Sequence, residues 1–477
     1  MPHPLSRLFP RLLLMITGLT LIGADVSSGQ PAPPTAGAST YSTAPFGTVH
    51  LFRPAADPRG VVLFLSDSNG VSTTETSIAT TLAHRGLLVA LVSTPVLMAT
   101  PDAWSKRCLN ANYPLVDLSN DVQHRAGVKA YMKPVILGTG EGGTLAYASL
   151  AQWPNGSYQG VVSVGFSPQI ASGRPWCTAP GFSAEHVQEG TAWRFGPNKR
   201  TRLPWIALSA PGSGGPALAA LTAAVPHARA AALPGDRAQW PAPVADAVVS
   251  LLPRPALPAQ AGMLPVPDMP LTLVPARKTT ANRDVMAIIY SGDGGWAGID
   301  RDVAGQLANA GIPVVGVDSL SYFWTARTPA GAARDLRQLI LSFSQHWKRP
   351  RVLLVGYSFG ADALPLMVDA LDGPARARIA RMSLLGLSAT ADFQFHLSSW
   401  LDISSDNGLP TVPAVTRLRG LPMQCVRGED ESDSACPQIP AGLAQQFLVP
   451  GGHHFDRNAP LLTQIVLGAR HPGTISD

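Results

Sequence analysis

Charge is scarce in this chain of 477 residues: Asp, Glu, Lys and Arg together make up 14%, against 45% hydrophobic residues. That balance excludes a solvated, disordered chain and points to one that builds cores. No dense basic block is present, and 36 Lys and Arg against 31 Asp and Glu leave a formal net charge of only +5. A nucleic-acid partner needs basic residues gathered on one face, so none is expected. Weak attraction to an anionic lipid surface stays compatible with the charge. Beyond the N-terminal segment no apolar run approaches the ~20 residues that cross a bilayer as a helix. A Gly-x-x-x-x-Gly-Lys-Ser/Thr phosphate loop is also missing. No His/Cys set has metal-ligand spacing, so neither metal nor cofactor is expected.

The N-terminus reads as a secretory signal over residues 1–24. Arg7 and Arg11 supply the positive region, and Leu12 to Ile22 a mostly apolar stretch of 11 residues, too short to span. No cysteine follows it, so no lipid anchor is signalled. Residues 25–45 are rich in Pro, Ser, Thr, Ala and Gly and read as a flexible leader. The four cysteines form an even set in an exported chain, which argues for disulfides, most simply Cys108–Cys177 and Cys425–Cys436.

What the chain does contain is the same pattern twice. Val61 to Leu65 is a continuous apolar run, followed by helical spacing over 74–84, Gly86, and a second run Leu87 to Val92. Runs of this kind are strands buried on both faces of a parallel sheet. A shift of 225 residues carries Leu65 onto Tyr290, Gly86 onto Gly311 and Val92 onto Val317, and a shift of 218 carries Gly138-Thr-Gly-Glu-Gly142 onto Gly356-Tyr-Ser-Phe-Gly360. Recurrence in the same order is the mark of duplication. The expected architecture is α/β: tandem α/β-hydrolase-like domains, each a mostly parallel sheet with helices on both faces. They occupy 46–252 and 271–477, joined by a Pro-rich linker at 253–270.

In the second copy, an apolar run ends in Gly356-Tyr357-Ser358-Phe359-Gly360 and continues into a helix. That is the pattern of a nucleophile elbow, which presents a serine on a tight strand-to-helix turn. A serine nucleophile needs a base, an acid that orients the base, and donors for the oxyanion. Past the expected strand Pro422 to Val426 stands an acidic cluster from which Asp430 is chosen as the acid, with Glu431 and Asp433 as alternatives. After the last strand, Gly451-Gly452-His453-His454 offers His453 as the base, with His454 as the alternative. Phe359, Gly292 and Asp293 are candidates for the oxyanion hole. The first copy has Gly140 at the serine position, Gly212 near that of the acid, and Arg237-Ala238 where the histidines should be. Triad chemistry is therefore expected of the second copy alone.

Four segments of the second copy, Ser291-Gly-Asp-Gly-Gly-Trp296, Val317 to Trp324, Gly356 to Asp362 and Pro450 to Phe455, resemble the bacterial VirJ/AcvB virulence-protein family. The two-copy length and export signal look like its AcvB-type members. The resemblance implies a periplasmic α/β-hydrolase that cleaves the aminoacyl ester of lysyl-phosphatidylglycerol. Its partner would be an aminoacylated phospholipid at the membrane surface, with Ser358, Asp430 and His453 as the triad. Asp293, Asp318 and Asp362, near strand ends or on the elbow helix, are candidates for reading the lysyl head. Tyr322, Phe323 and Trp324 would meet lipid or substrate, or pack as a buried cluster. A general esterase or thioesterase, and a non-catalytic partner of a secretion system, are the competing readings.

Overall fold

The computed structural model describes residues 37–100, 108–152, 158–187, 191–213, 215–253, 269–277, 282–395 and 408–468. The expected signal segment and nearly all of the expected linker lie outside these residues.

Two large sheets organise the chain. The first has eight strands, in spatial order Gly37–Thr43, Gly47–Arg53, Leu87–Val92, Gly60–Leu65, Val135–Thr139, Gly160–Val164, Trp205–Ser209 and Ala228–Ala232. Its first two joints are antiparallel and the rest parallel. The second has seven, Leu271–Val274, Val314–Val317, Val285–Tyr290, Arg351–Tyr357, Ile379–Leu385, Met423–Gly428 and Gln445–Val449, with one antiparallel joint at the edge. The exchanged strand order at one side and the parallel run through the middle are those of the α/β-hydrolase fold. Registers repeat as well: Leu65 faces Gly138 in one sheet, and Tyr290 faces Gly356 in the other.

The central strands are apolar without alternation because helices cover both faces. In the second sheet Met286, Ile288, Val352 and Leu354 pack on one side, with Leu336 and Leu339 of the helix Pro329–Trp347 and Leu364 of Phe359–Asp369. Ala287, Ile289, Leu353 and Val355 pack on the other, with Val303 of Gly298–Asn309 and Leu462 of Ala459–Leu467.

One expectation fails at the leader. Residues 37–43 form an edge strand, paired residue for residue with 47–53. The Ser/Thr/Tyr content that suggested flexibility also suits an edge strand, and the Tyr41 hydroxyl donates to Asp121 Oδ2 at 2.7 Å. Tyr322, Phe323 and Trp324 are each at most 3% exposed, so they are core and not a lipid-facing surface. Trp324 joins Leu320 and Phe395 with Tyr131 of the first half in a small cluster of its own. Its indole N–H donates to the Val128 carbonyl at 2.7 Å, and His124 stacks on it at 3.8 Å. Both cysteine pairs are bonded, Cys108–Cys177 and Cys425–Cys436. Among the described residues no helix is long and apolar enough to cross a membrane.

Candidate active site

The strand Arg351–Tyr357 runs into Ser358 and the helix Phe359–Asp369. Ser358 is held at φ 52°, ψ −121°, a strained backbone for a residue with a side chain. The strain persists because the turn is clamped. Ser358 N–H donates to Leu385 O at 2.8 Å, and the Ala361 and Asp362 N–H groups donate to Ser358 O. Gly356 and Gly360 have no freedom to be anything else: a Cβ on the first would strike the Gly360 carbonyl, and one on the second the Tyr290 carbonyl.

The structure brings Ser358 and His453 together and puts a different acid behind them. Ser358 Oγ lies 2.8 Å from His453 Nε2, and His453 Nδ1 lies 2.5 Å from Glu431 Oε1. Asp430 is not in this line. Its N–H is spent on the Gly451 carbonyl and its side chain is exposed, as is that of Asp433. The reason is the turn after Met423–Gly428: Glu431 N–H returns to Gly428 O, while Gly428 N–H donates to Glu431 Oε2 at 3.0 Å. That curl aims residue 431 inward and residue 430 outward, and leaves the Glu431 side chain 4% exposed. The acid loop is bolted to the histidine turn through Glu429 N–H to Val449 O as well, and closed by the Cys425–Cys436 disulfide.

His454 stands outside the line: its Nδ1 meets the Tyr357 hydroxyl at 2.6 Å. Gly386, which the sequence reading did not single out, makes room for the imidazole. It has φ +69°, and a Cβ there would lie 2.8 Å from His453 Cε1. No local motif announces it, because the contact joins two loops far apart in sequence.

The first half offers a comparison for the expected oxyanion donors. Asp67 Oδ1 accepts the Ser68 N–H at 2.7 Å and the Glu141 N–H at 3.1 Å. In the shared register these two donors correspond to the Asp293 and Phe359 N–H groups. A carboxylate oxygen thus sits in the first half where an oxyanion would sit in the second. Asp67 itself corresponds to Gly292, so on this comparison Gly292 supplies space and the N–H groups of Asp293 and Phe359 the donors. A Cβ on Gly292 would already touch Tyr357 at 3.2 Å and Ser358 Cβ at 3.4 Å. Gly140 is the serine's counterpart, and a Cβ there would collide with the Asp67 carboxylate. Arg237 lies over the Trp240 ring at 5.3 Å, far from triad duty.

The three candidate head-reading carboxylates divide. Asp318 is consumed: Oδ2 accepts Trp296 N–H at 3.1 Å, Oδ1 accepts Ser321 N–H at 3.0 Å, and Lys133 Nζ lies 3.4 Å away. It builds the loop and does not face substrate. Asp362 and Asp293 stay near the imidazole, and both act on its charge. Burial pushes Asp362 up to about 7, against the Ser388 N–H that donates to it at 2.7 Å. Burial raises Asp293 too, with His453 opposing. His453 itself is disfavoured as a cation by burial, but the Glu431 hydrogen bond and charge, with Asp293 and Asp362, outweigh this and raise its pKa above 6.5. No set of three His, Cys, Asp or Glu side chains among the described residues is placed to hold a metal ion.

Residues 284–472 match the family described as bacterial virulence protein (VirJ). No curated protein is significantly similar to the chain. Among solved structures, the esterase domain of a Rhodothermus marinus protein is 16% identical, with 46% of this chain and 96% of that one covered and a TM-score of 0.29. Est1E from Butyrivibrio proteoclasticus is 10% identical, with 45% and 98% covered and a TM-score of 0.31. Dienelactone hydrolase from Anabaena variabilis is 19% identical, with 46% and 95% covered and a TM-score of 0.30.

Proposed function

We propose that this chain, which carries a VirJ-type segment over residues 284–472, is a periplasmic serine hydrolase that cleaves the aminoacyl ester of lysyl-phosphatidylglycerol. The observation that carries the reading is the hydrogen-bonded line from Ser358 Oγ through His453 to Glu431 on a strained elbow. Such a line raises the nucleophilicity of an alcohol.

In the proposed reaction Ser358 Oγ attacks the ester carbonyl and His453 Nε2 takes its proton. The Asp293 and Phe359 N–H groups hold the oxyanion, and Glu431 stabilises the imidazolium. Collapse breaks the bond to the lipid glycerol oxygen, which leaves with the proton from His453. Water, deprotonated by the same ring, then releases the amino acid from Ser358. Asp293 and Asp362 are carboxylates that burial makes reluctant to ionise, and an arriving ammonium group relieves both. That supports a cationic acyl group as substrate.

The signal-like N-terminal sequence and the two disulfides support a periplasmic site of action, where a lipid substrate would be met at the membrane surface. The test compares membrane lipids from cells making the wild type or Ser358→Ala. Less aminoacyl lipid with the wild type is expected, and equal amounts sink the substrate assignment. A panel of neutral esters and thioesters then separates a general esterase or thioesterase from a lipid-specific one. Asp362→Asn should raise KM for the lysyl lipid about tenfold, roughly 1.4 kcal/mol, and leave KM for a neutral ester alone. An unchanged KM for the lysyl lipid removes Asp362 from recognition.

A further inference from the structure

Lys133 belongs to the first half, on the connection between the helix Asn112–Arg125 and the strand Val135–Thr139, yet its ammonium group lies under the loop that carries the proposed oxyanion donor of the second. It donates to the Trp296 carbonyl at 3.1 Å and pairs with Asp318 at 3.4 Å, and its side chain is 22% exposed. Asp318 holds loop 291–296 closed by accepting Trp296 N–H. Gly295, at φ +71°, comes so near that a Cβ would lie 2.9 Å from Asp318 Oδ1. The far end of the loop is pinned by the Trp296 ring, which lies on Gly316. A second carboxylate, Asp300, is 4% exposed beneath the same loop, with no hydrogen-bond partner at Oδ1 among the described residues. Burial and Asp318 disfavour its charge, while the N–H groups of Asp300 and Gly292, and Lys133, favour it. Burial wins, so the Asp300 pKa stands well above the usual carboxylate range, and the carboxylate that takes the cation supplied from the other half is Asp318.

We propose that Lys133 is a positioning residue for the oxyanion donor at Asp293, and that holding this loop is what the first half does for the second. The role rests on the serine-hydrolase reading above. Removing the ammonium group leaves the Trp296 carbonyl without its donor and Asp318 without its counter-charge, and the loop that both hold must shift. A displaced donor weakens transition-state binding more than ground-state binding, so kcat should fall while KM holds.

The experiment uses the full chain with a nitrophenyl acyl ester as substrate and an activated phosphonate as a label for Ser358. Lys133→Met should lower kcat about 30-fold, leave KM within about twofold, and slow labelling by the same factor as kcat. Lys133→Arg should recover most of both. Lys129→Met, at an exposed lysine paired with Asp57, should behave as the wild type. Amide hydrogen exchange over 291–296 should quicken in Lys133→Met. Unchanged kcat, unchanged exchange in the loop, or a fall in kcat and a rise in KM that arginine does not rescue would each overturn the proposal. A wild type that the phosphonate does not label overturns the hydrolase reading itself, a result visible without any Lys133 variant.

Discussion

Glu431→Gln lowers kcat about 10⁴-fold, whereas Asp430→Asn and Asp433→Asn leave it within about twofold. The contrast is large because the three carboxylates share a loop and differ in one contact. Glu431 alone reaches His453 Nδ1; the other two side chains are exposed. An amide at 431 no longer stabilises the imidazolium and can present N–H where the ring needs an acceptor, which favours the wrong tautomer. The loss amounts to about 5.5 kcal/mol of transition-state stabilisation. The pH profile moves with it. His453 works as a base only when neutral, so kcat/KM falls as the pH drops through its pKa. In the wild type that limb lies above 6.5, because the Glu431 hydrogen bond and charge, with Asp293 and Asp362, together outweigh burial. In Glu431→Gln the strongest opposition to burial is gone, and the limb moves to lower pH. Steady-state rates across pH 5 to 9 measure both effects, and an unmoved limb would separate Glu431 from the histidine.

Gly292→Asp, which gives the second half the residue found in the first, abolishes activity by about 10³-fold or more. Two routes lead there. If the new carboxylate lies as Asp67 does, its oxygen takes the Asp293 and Phe359 N–H groups and leaves no donor for an oxyanion; losing one such donor alone costs about 10²–10³. If Ser358 Cβ keeps it from that position, as the crowding at Gly140 indicates, the serine is pushed off its line to His453. Phosphonate labelling distinguishes the variant from simple unfolding, provided its thermal transition is retained. Full labelling of a folded Gly292→Asp protein would show that residue 292 does not border the hole. The reverse exchange, Asp67→Gly with Gly140→Ser, opens the first hole but gains no activity, since Arg237 and Ala238 supply no base.

The fold was legible where backbone rules are strict. Fully buried strands must be apolar, and the elbow glycines are forced by carbonyls within van der Waals reach, so Gly356-x-Ser358-x-Gly360 and the repeat registers could be read from letters alone. His453 was legible for the same reason, standing on a glycine turn after the last strand. The acid was not. Its loop has no periodicity, and whether residue 430 or 431 points inward depends on a single turn closed by Gly428. Sequence does not tell a glycine that donates from one that merely leaves space, which keeps both Gly292 and Asp293 as candidates for the oxyanion hole. Asp318 looked available to substrate because its partners Trp296 and Lys133 are 22 and, in the second case, far more residues away. No spacing rule reaches from residue 133 into the second half.

Asp67 also bears on the stability of the two turns. An enzyme that awaits an oxyanion keeps polar donors without their intended partner between turnovers, and preorganisation of this kind is a departure from the lowest free energy of the fold. The first half has no such debt. Its two N–H groups are met by the Asp67 side chain, and a donor that has its partner needs none from a substrate. One chain thus contains the same turn in two thermodynamic conditions, one saturated and inert, the other unsaturated and ready. The inert turn should be the slower of the two to open, and the active half the first to loosen as the temperature rises.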